Sequence, residues 1–132
     1  MSKAIALMVG LILLGHGLVG LPIEGRPFLL FNVDLALDLL HLLCAGALLL
    51  AGREHAGELL VRGALLFTAV VEGGIGLWGL ADRHLGGLAP TGLFDLDHLL
   101  TFGLAGATLI GALLPRAASN LWDLQPSPPM QS

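Results

Sequence analysis

The sequence predicts an all-α integral membrane fold, a four-helix antiparallel bundle built from a duplicated helix hairpin. Three observations lead there. The chain has 132 residues, 55% of them hydrophobic and only 12% charged, with a mean hydropathy of +0.86. A soluble domain carries roughly 25% charged residues, so this one has about half the charge that a water-facing surface needs. Four apolar segments have the length of about 20 residues that a bilayer core demands. The first two segments also recur, in outline, as the last two.

The four segments follow one another closely. Residues 4–21 carry no formal charge and one histidine, His16. Residues 28–51 are apolar except for Asp34, Asp38 and His41. Residues 59–80 are interrupted only by Arg62 near the start and Glu72 near the centre. Residues 93–114 hold Asp95, Asp97 and His98 in their first turns. The connectors 22–27, 52–58 and 81–92 are short and polar or rich in Gly and Pro. The spans thus make one bundle over 1–115, with repeats at 1–52 and 59–115 and a partly disordered cytoplasmic tail at 116–132. The first segment lacks an A-x-A-like cleavage site and three more spans follow, so it reads as retained. Lys3, Arg53, Arg62 and Arg116 fall on one side and Arg26 and Arg83 on the other. That bias puts both termini in the cytoplasm. Trp78 and Trp122 read as interface anchors.

The repeat rests on two alignments. A shift of 59 places Lys3 on Arg62, Gly17 on Gly76 and Gly20 on Gly79. A shift of 57 places Asp38 on Asp95, His41 on His98 and Gly46 on Gly103. Two spans per copy give both copies the same orientation, with a pseudo-two-fold axis along the membrane normal. The glycines supply small surfaces for close helix contact, on which association in lipid depends.

Several function classes drop out. Disordered chains are poor in apolar residues, which this chain is not. Six Lys and Arg against ten Asp and Glu, with no basic cluster, argue against nucleic-acid binding. Cys44 stands alone, so it makes no intramolecular disulfide and no CxxC site. No nucleophile elbow, phosphate loop or HExxH motif is present.

What remains is the polar set inside the spans: His16, Asp34, Asp38, His41, Glu72, Asp95, Asp97 and His98. Charges there cost roughly 2.5–3.5 kcal/mol each on insertion scales and mark function by default. Asp34, Asp38 and His41 are spaced by four and three along one helix face, and Asp95 and His98 by three. With about 1.5 Å rise per residue, His16 and His98 lie about 7 Å from the outer side and Glu72 and His41 about 12 Å. One reading is a metal site of His16, Asp38, His41, Glu72, Asp95 and His98, echoing the carboxylate di-metal pattern of four-helix bundles. Related to it is a haem held between His41 and His98. A second reading makes the Asp-x-x-His pairs hydrogen-bonded clamps, with Asp34, Asp95 and Asp97 near helix N-termini. A third is a proton or small-solute conductor centred on Glu72. The leading expectation is a non-enzymatic protein of structural or accessory type, in the lipid bilayer as a homo-oligomer or as part of a larger membrane complex.

The segment Phe31-Asn32-Val33-Asp34-Leu35-Ala36-Leu37-Asp38-Leu39-Leu40-His41-Leu42-Leu43, echoed by Phe94-Asp95-Leu96-Asp97-His98-Leu99-Leu100, carries a resemblance. It is similar to the Asn-x-x-His-Leu-Leu-like segments opening helices two and four in an uncharacterised family of small bacterial four-span membrane proteins. The resemblance implies the same fold up to about Leu114 and no known activity. Asp34 and Asp38 stand where that family has asparagines, which adds anionic charge here.

Overall fold

The computed structural model describes residues 1–23 and 33–114. Among them the structure is all-helical, without strands. Helix α1 covers Ser2–Gly20 and runs into a 3-10 turn at Leu21–Ile23. Helices α2 (Leu35–Ala51), α3 (Glu58–Ala81) and α4 (Asp95–Leu113) follow, with a second 3-10 turn at Leu85–Gly87 between the last two. The predicted tail at 116–132 and Arg26, Arg116 and Trp122 lie outside the described residues.

Each helix ends where the local chemistry makes it end. Asp34 precedes α2 in extended conformation, φ −127°, with its carboxylate turned to another segment. Asp82 closes α3 in extended conformation, and its carboxylate accepts bonds from the N–H groups of His84 (2.9 Å) and Gly86 (2.7 Å). That side chain folds the chain into a tight turn in which Leu85, Gly86 and Gly87 take φ of 49°, 64° and 99°. Glycine tolerates this region freely. Leu85 does not, and is held there with its side chain buried beneath the loop. Helix α4 stops at Leu114, φ −56° and ψ 133°, as expected of a residue before proline.

Successive helices run antiparallel, and contacts at both ends show it. Lys3 Nζ donates to the Glu54 carbonyl, joining the start of α1 to the end of α2. Arg62 donates to the Leu114 carbonyl at 3.0 Å, joining the start of α3 to the end of α4. At the other end Thr91, ahead of α4, meets Asp34, ahead of α2. The close pairs are α1 with α2 and α3 with α4, and glycines set how close. A Cβ at Gly17 would lie 2.7 Å from Leu42 Cγ, and one at Gly76 would lie 2.9 Å from the Phe102 ring.

The four helices enclose an apolar core around Val9, Leu13, Leu48, Leu65 and Leu104. A second apolar cluster, with Leu37, Ile75, Leu85 and Leu93, closes the end under the 82–94 loop. The outer surface is also apolar: Leu11, Leu43, Val70, Leu77, Leu99 and Ile110 are each more than half exposed. Large exposed apolar surfaces of this kind mark contact with lipid or with protein partners. Helices α1, α3 and α4 are each long and apolar enough to cross a membrane.

Helix α2 departs from expectation. The sequence predicts a span over 28–51, but helical structure starts only at Leu35, and 28–32 lie outside the described residues. Its 17 residues fall short of the other three helices. The physical cause is Asp34, whose bonds to Thr91 hold it extended and exclude it from the first turn.

Candidate functional site

Between the two apolar clusters, three helices direct polar side chains at one another. His16 comes from the exposed-to-buried boundary of α1, four residues before the inward-facing Gly20. Asp38 and His41 sit on the buried face of α2, three residues apart, so the helix period brings both to the same side. Glu72 comes from the middle of α3 and is 0% exposed.

The geometry is close. His16 Nδ1 and His41 Nδ1 are 3.2 Å apart, with the rings edge to face at 83° and centroids 4.8 Å apart. His41 Nε2 stands 3.7 Å from Glu72 Oε2. One tautomer set serves both contacts: His16 donates from Nδ1, and His41 accepts at Nδ1 while its Nε2–H faces Glu72. Asp38 completes the group, since one ligand-capable atom each from His16, Asp38 and His41 lie within 4.8 Å of one another. Its carboxylate occupies the space that a Cβ at Gly20 would take. Neither Glu72 oxygen has a hydrogen-bond partner among the described residues. An unsatisfied buried carboxylate carries the full desolvation penalty, so Glu72 is the residue that packing alone explains least.

A small cavity adjoins the histidines. It is lined by His16, His41, Asp97 and Thr101 together with apolar groups, and offers about 10 Å³ to the centre of a water-sized sphere. That is about the room one water needs. Toward the Lys3 end of the bundle, Cys44 lies in the apolar core, and Thr68 and Thr108 are buried, with Thr108 Oγ1 donating to the Leu104 carbonyl at 2.7 Å.

The other predicted residues lie elsewhere. Asp95 is exposed at the start of α4 and pairs with Arg83 at 3.2 Å, outside the cluster. Asp97 Oδ2 accepts from the Phe94 N–H at 2.8 Å, tying the first turn of α4. His98 Nδ1 donates to the Phe94 carbonyl at 3.0 Å, and its ring packs against Gly79, where a Cβ would come within 2.9 Å of Nε2. Packing that tight leaves no slot for a haem at His98, so pairing of His41 with His98 around one finds no support. Asp34 Oδ2 accepts from Thr91 N–H (3.1 Å) and Oγ1 (2.8 Å), a link between the entrances to α2 and α4.

The two Asp-x-x-His pairs are therefore not equivalent. Asp38 and His41 are the fourth and seventh residues of α2, whereas Asp95 and His98 are the first and fourth of α4. The second pair stands one turn nearer its helix start, where Asp95 reaches solvent. Thr101, absent from the sequence-derived set, takes the inward position on α4. Its spacing of four from Asp97 was the available signal. Thr91 had no such signal, because its partner Asp34 lies 57 residues away.

Comparison with family models, with curated proteins and with solved structures finds no match to this chain.

Proposed function

We propose that the chain is an integral membrane protein of structural or accessory type, a four-span bundle that works by assembling with other membrane subunits. The observation carrying this reading is the distribution of side chains: apolar groups face outward on all four helices, while buried charge and histidine turn inward. The arrangement suits lipid, where helices associate through small residues and interhelical hydrogen bonds. On the outside of α3 and α4, Gly73, Ala105 and Gly106 lie in a groove edged by Leu77, Phe102 and Leu109. Such a surface suits a neighbouring helix.

The bacterial inner membrane, with both termini cytoplasmic, is the location this reading assigns. Among the described residues, Lys3, Arg53 and Arg62 lie at the bundle end shared by the starts of α1 and α3, and Arg83 lies at the opposite end. The positive-inside rule then orients the bundle. The duplicated hairpin belongs to the same proposal. Leu35 and Asp95 open helices 60 residues apart, three more than the shift of 57 that aligns Asp38 with Asp95, and the contact of Gly17 with Leu42 has its counterpart in Gly76 with Phe102. Membership of the small bacterial four-span family fits as well, since Asp34 accepts both Thr91 bonds at one oxygen, and an asparagine also offers one acceptor oxygen.

Purification of the full chain in mild detergent tests the subunit reading. The proposal expects a homo-oligomer or a retained membrane partner under cross-linking in native membranes. A chain that stays strictly monomeric and captures no neighbour contradicts it. A proton relay from His16 through His41 to Glu72 is the second reading, favoured by the 3.2 Å and 3.7 Å spacings. It predicts flux in proteoliposomes that Glu72→Gln abolishes, and the apolar core below Cys44 and Thr68 argues against it.

A further inference from the structure

We propose that His16, Asp38 and His41 form a binding site for a divalent transition-metal ion of the zinc class, with Glu72 as the carboxylate that orients His41. The donor set is two imidazoles and one carboxylate, which suits zinc and its first-row neighbours better than the all-oxygen shells of calcium or magnesium. The Nδ1 atoms, 3.2 Å apart, have the separation of two ligands on one tetrahedral ion with bonds of about 2.0–2.1 Å. The longest edge of the triangle, 4.8 Å at most, contracts by about 1.5 Å to reach that geometry. That contraction requires the Asp38 carboxylate, which lies over Gly20, and the half-buried His16 ring to move toward His41.

Two further observations point to the ion. With Nδ1 of His41 on a metal, its Nε2–H faces Glu72, the carboxylate–histidine–metal arrangement that fixes ring orientation in most histidine sites. Glu72, wholly buried and otherwise without a hydrogen-bond partner, thereby gains a role. A divalent cation between Asp38 and Glu72 also offsets the cost of burying their carboxyl groups. Three protein ligands leave a fourth position, and the one-water cavity beside His16 and His41 lies next to it. Asp95 and His98 are not part of this site.

The test uses the full chain, carrying a tag without histidine, purified in mild detergent and stripped with chelator. Titration with Co²⁺ is expected to give about one equivalent bound, with visible d–d bands that Zn²⁺ abolishes. His16→Gln and His41→Gln are expected to lose the bands, and Glu72→Gln to weaken Co²⁺ binding about 10–100-fold. His55→Gln and His84→Gln, at exposed loop positions, leave the titration unchanged. A wild-type chain that gives no bands overturns the site, as do bands that survive both cluster histidine substitutions. Unchanged affinity in Glu72→Gln overturns the role given to Glu72. A wild-type chain without bands overturns the site whether or not any variant folds, and circular dichroism of each variant separates loss of a ligand from loss of the fold.

Discussion

Substituting alanine at Gly17 and, separately, at Gly15 tests the helix packing at single-atom resolution. Both glycines lie in α1, two residues apart, so intrinsic helix propensity favours alanine at each by about 1 kcal/mol. Their surroundings differ. A Cβ at Gly15 meets nothing within 4 Å. A Cβ at Gly17 comes within 2.7 Å of Leu42 Cγ and 2.9 Å of the Asp38 carbonyl oxygen. The carbonyl is backbone and cannot swing aside, so α1 and α2 must separate. Overpacking of this kind costs about 1–3 kcal/mol, which more than offsets the propensity gain. Separation also opens the contact between His16 and His41, because Asp38 and His41 ride on the displaced helix. Gly17→Ala is therefore expected to be less stable than Gly15→Ala by about 1–3 kcal/mol. Gly76→Ala falls between them, since its obstacle is the movable ring of Phe102. Reversible unfolding in mixed detergent and sodium dodecyl sulfate micelles, followed by circular dichroism, measures the order. If Gly17→Ala matches or exceeds Gly15→Ala in stability, the close approach of α1 to α2 is wrong.

Other expectations concern the loop end and the core. Asp34→Ala removes the acceptor for two Thr91 donors and should cost about 1.5–3 kcal/mol, whereas Asp34→Asn keeps an acceptor and should recover most of it; the same unfolding assay distinguishes them, and equal losses would contradict the link. The Gly86 and His84 N–H groups hold the Asp82 carboxyl below its ordinary value. Its contribution is therefore present above the unfolded carboxyl pKa and lost as pH falls through the folded one. Amide exchange at His84 and Gly86 should lose protection on acidification and show no such pH dependence in Asp82→Asn. Cys44 is 0% exposed, so a maleimide should label it only after unfolding; rapid labelling of folded protein would place it outside the core.

Apolar periodicity made most of the helices legible. The ends of α1, α3 and α4 fall within a few residues of the predicted spans because charged or Gly/Pro-rich connectors bound them closely. The start of α2 was not legible, since a largely apolar segment runs past both sides of Asp34 and the contact with Thr91 that accompanies its extended backbone lies 57 residues away. The inward placement of Asp38, His41 and Glu72 followed from helical spacing and from the cost of charge in lipid. What spacing could not supply was rotation. Asp95 and His98 repeat the pattern of Asp38 and His41, yet one helical turn nearer the chain entrance the same pattern puts Asp95 in solvent beside Arg83. His16 and His41, on different helices and 25 residues apart, meet only through the tight α1–α2 contact that Gly17 and Gly20 permit.

The bilayer placement of the bundle, on which both the subunit role and the buried cluster depend, has one direct measurement. Nitroxide labels at Leu11, Val70 and Ile110, all outward-facing on α1, α3 and α4, can be read by electron paramagnetic resonance in liposomes. Cys44 is buried and stays unlabelled under native conditions. Lipid-facing helices predict high accessibility to oxygen and low accessibility to a water-soluble nickel complex at all three positions. Labels that collide freely with the nickel complex would place these faces in water and contradict the membrane bundle.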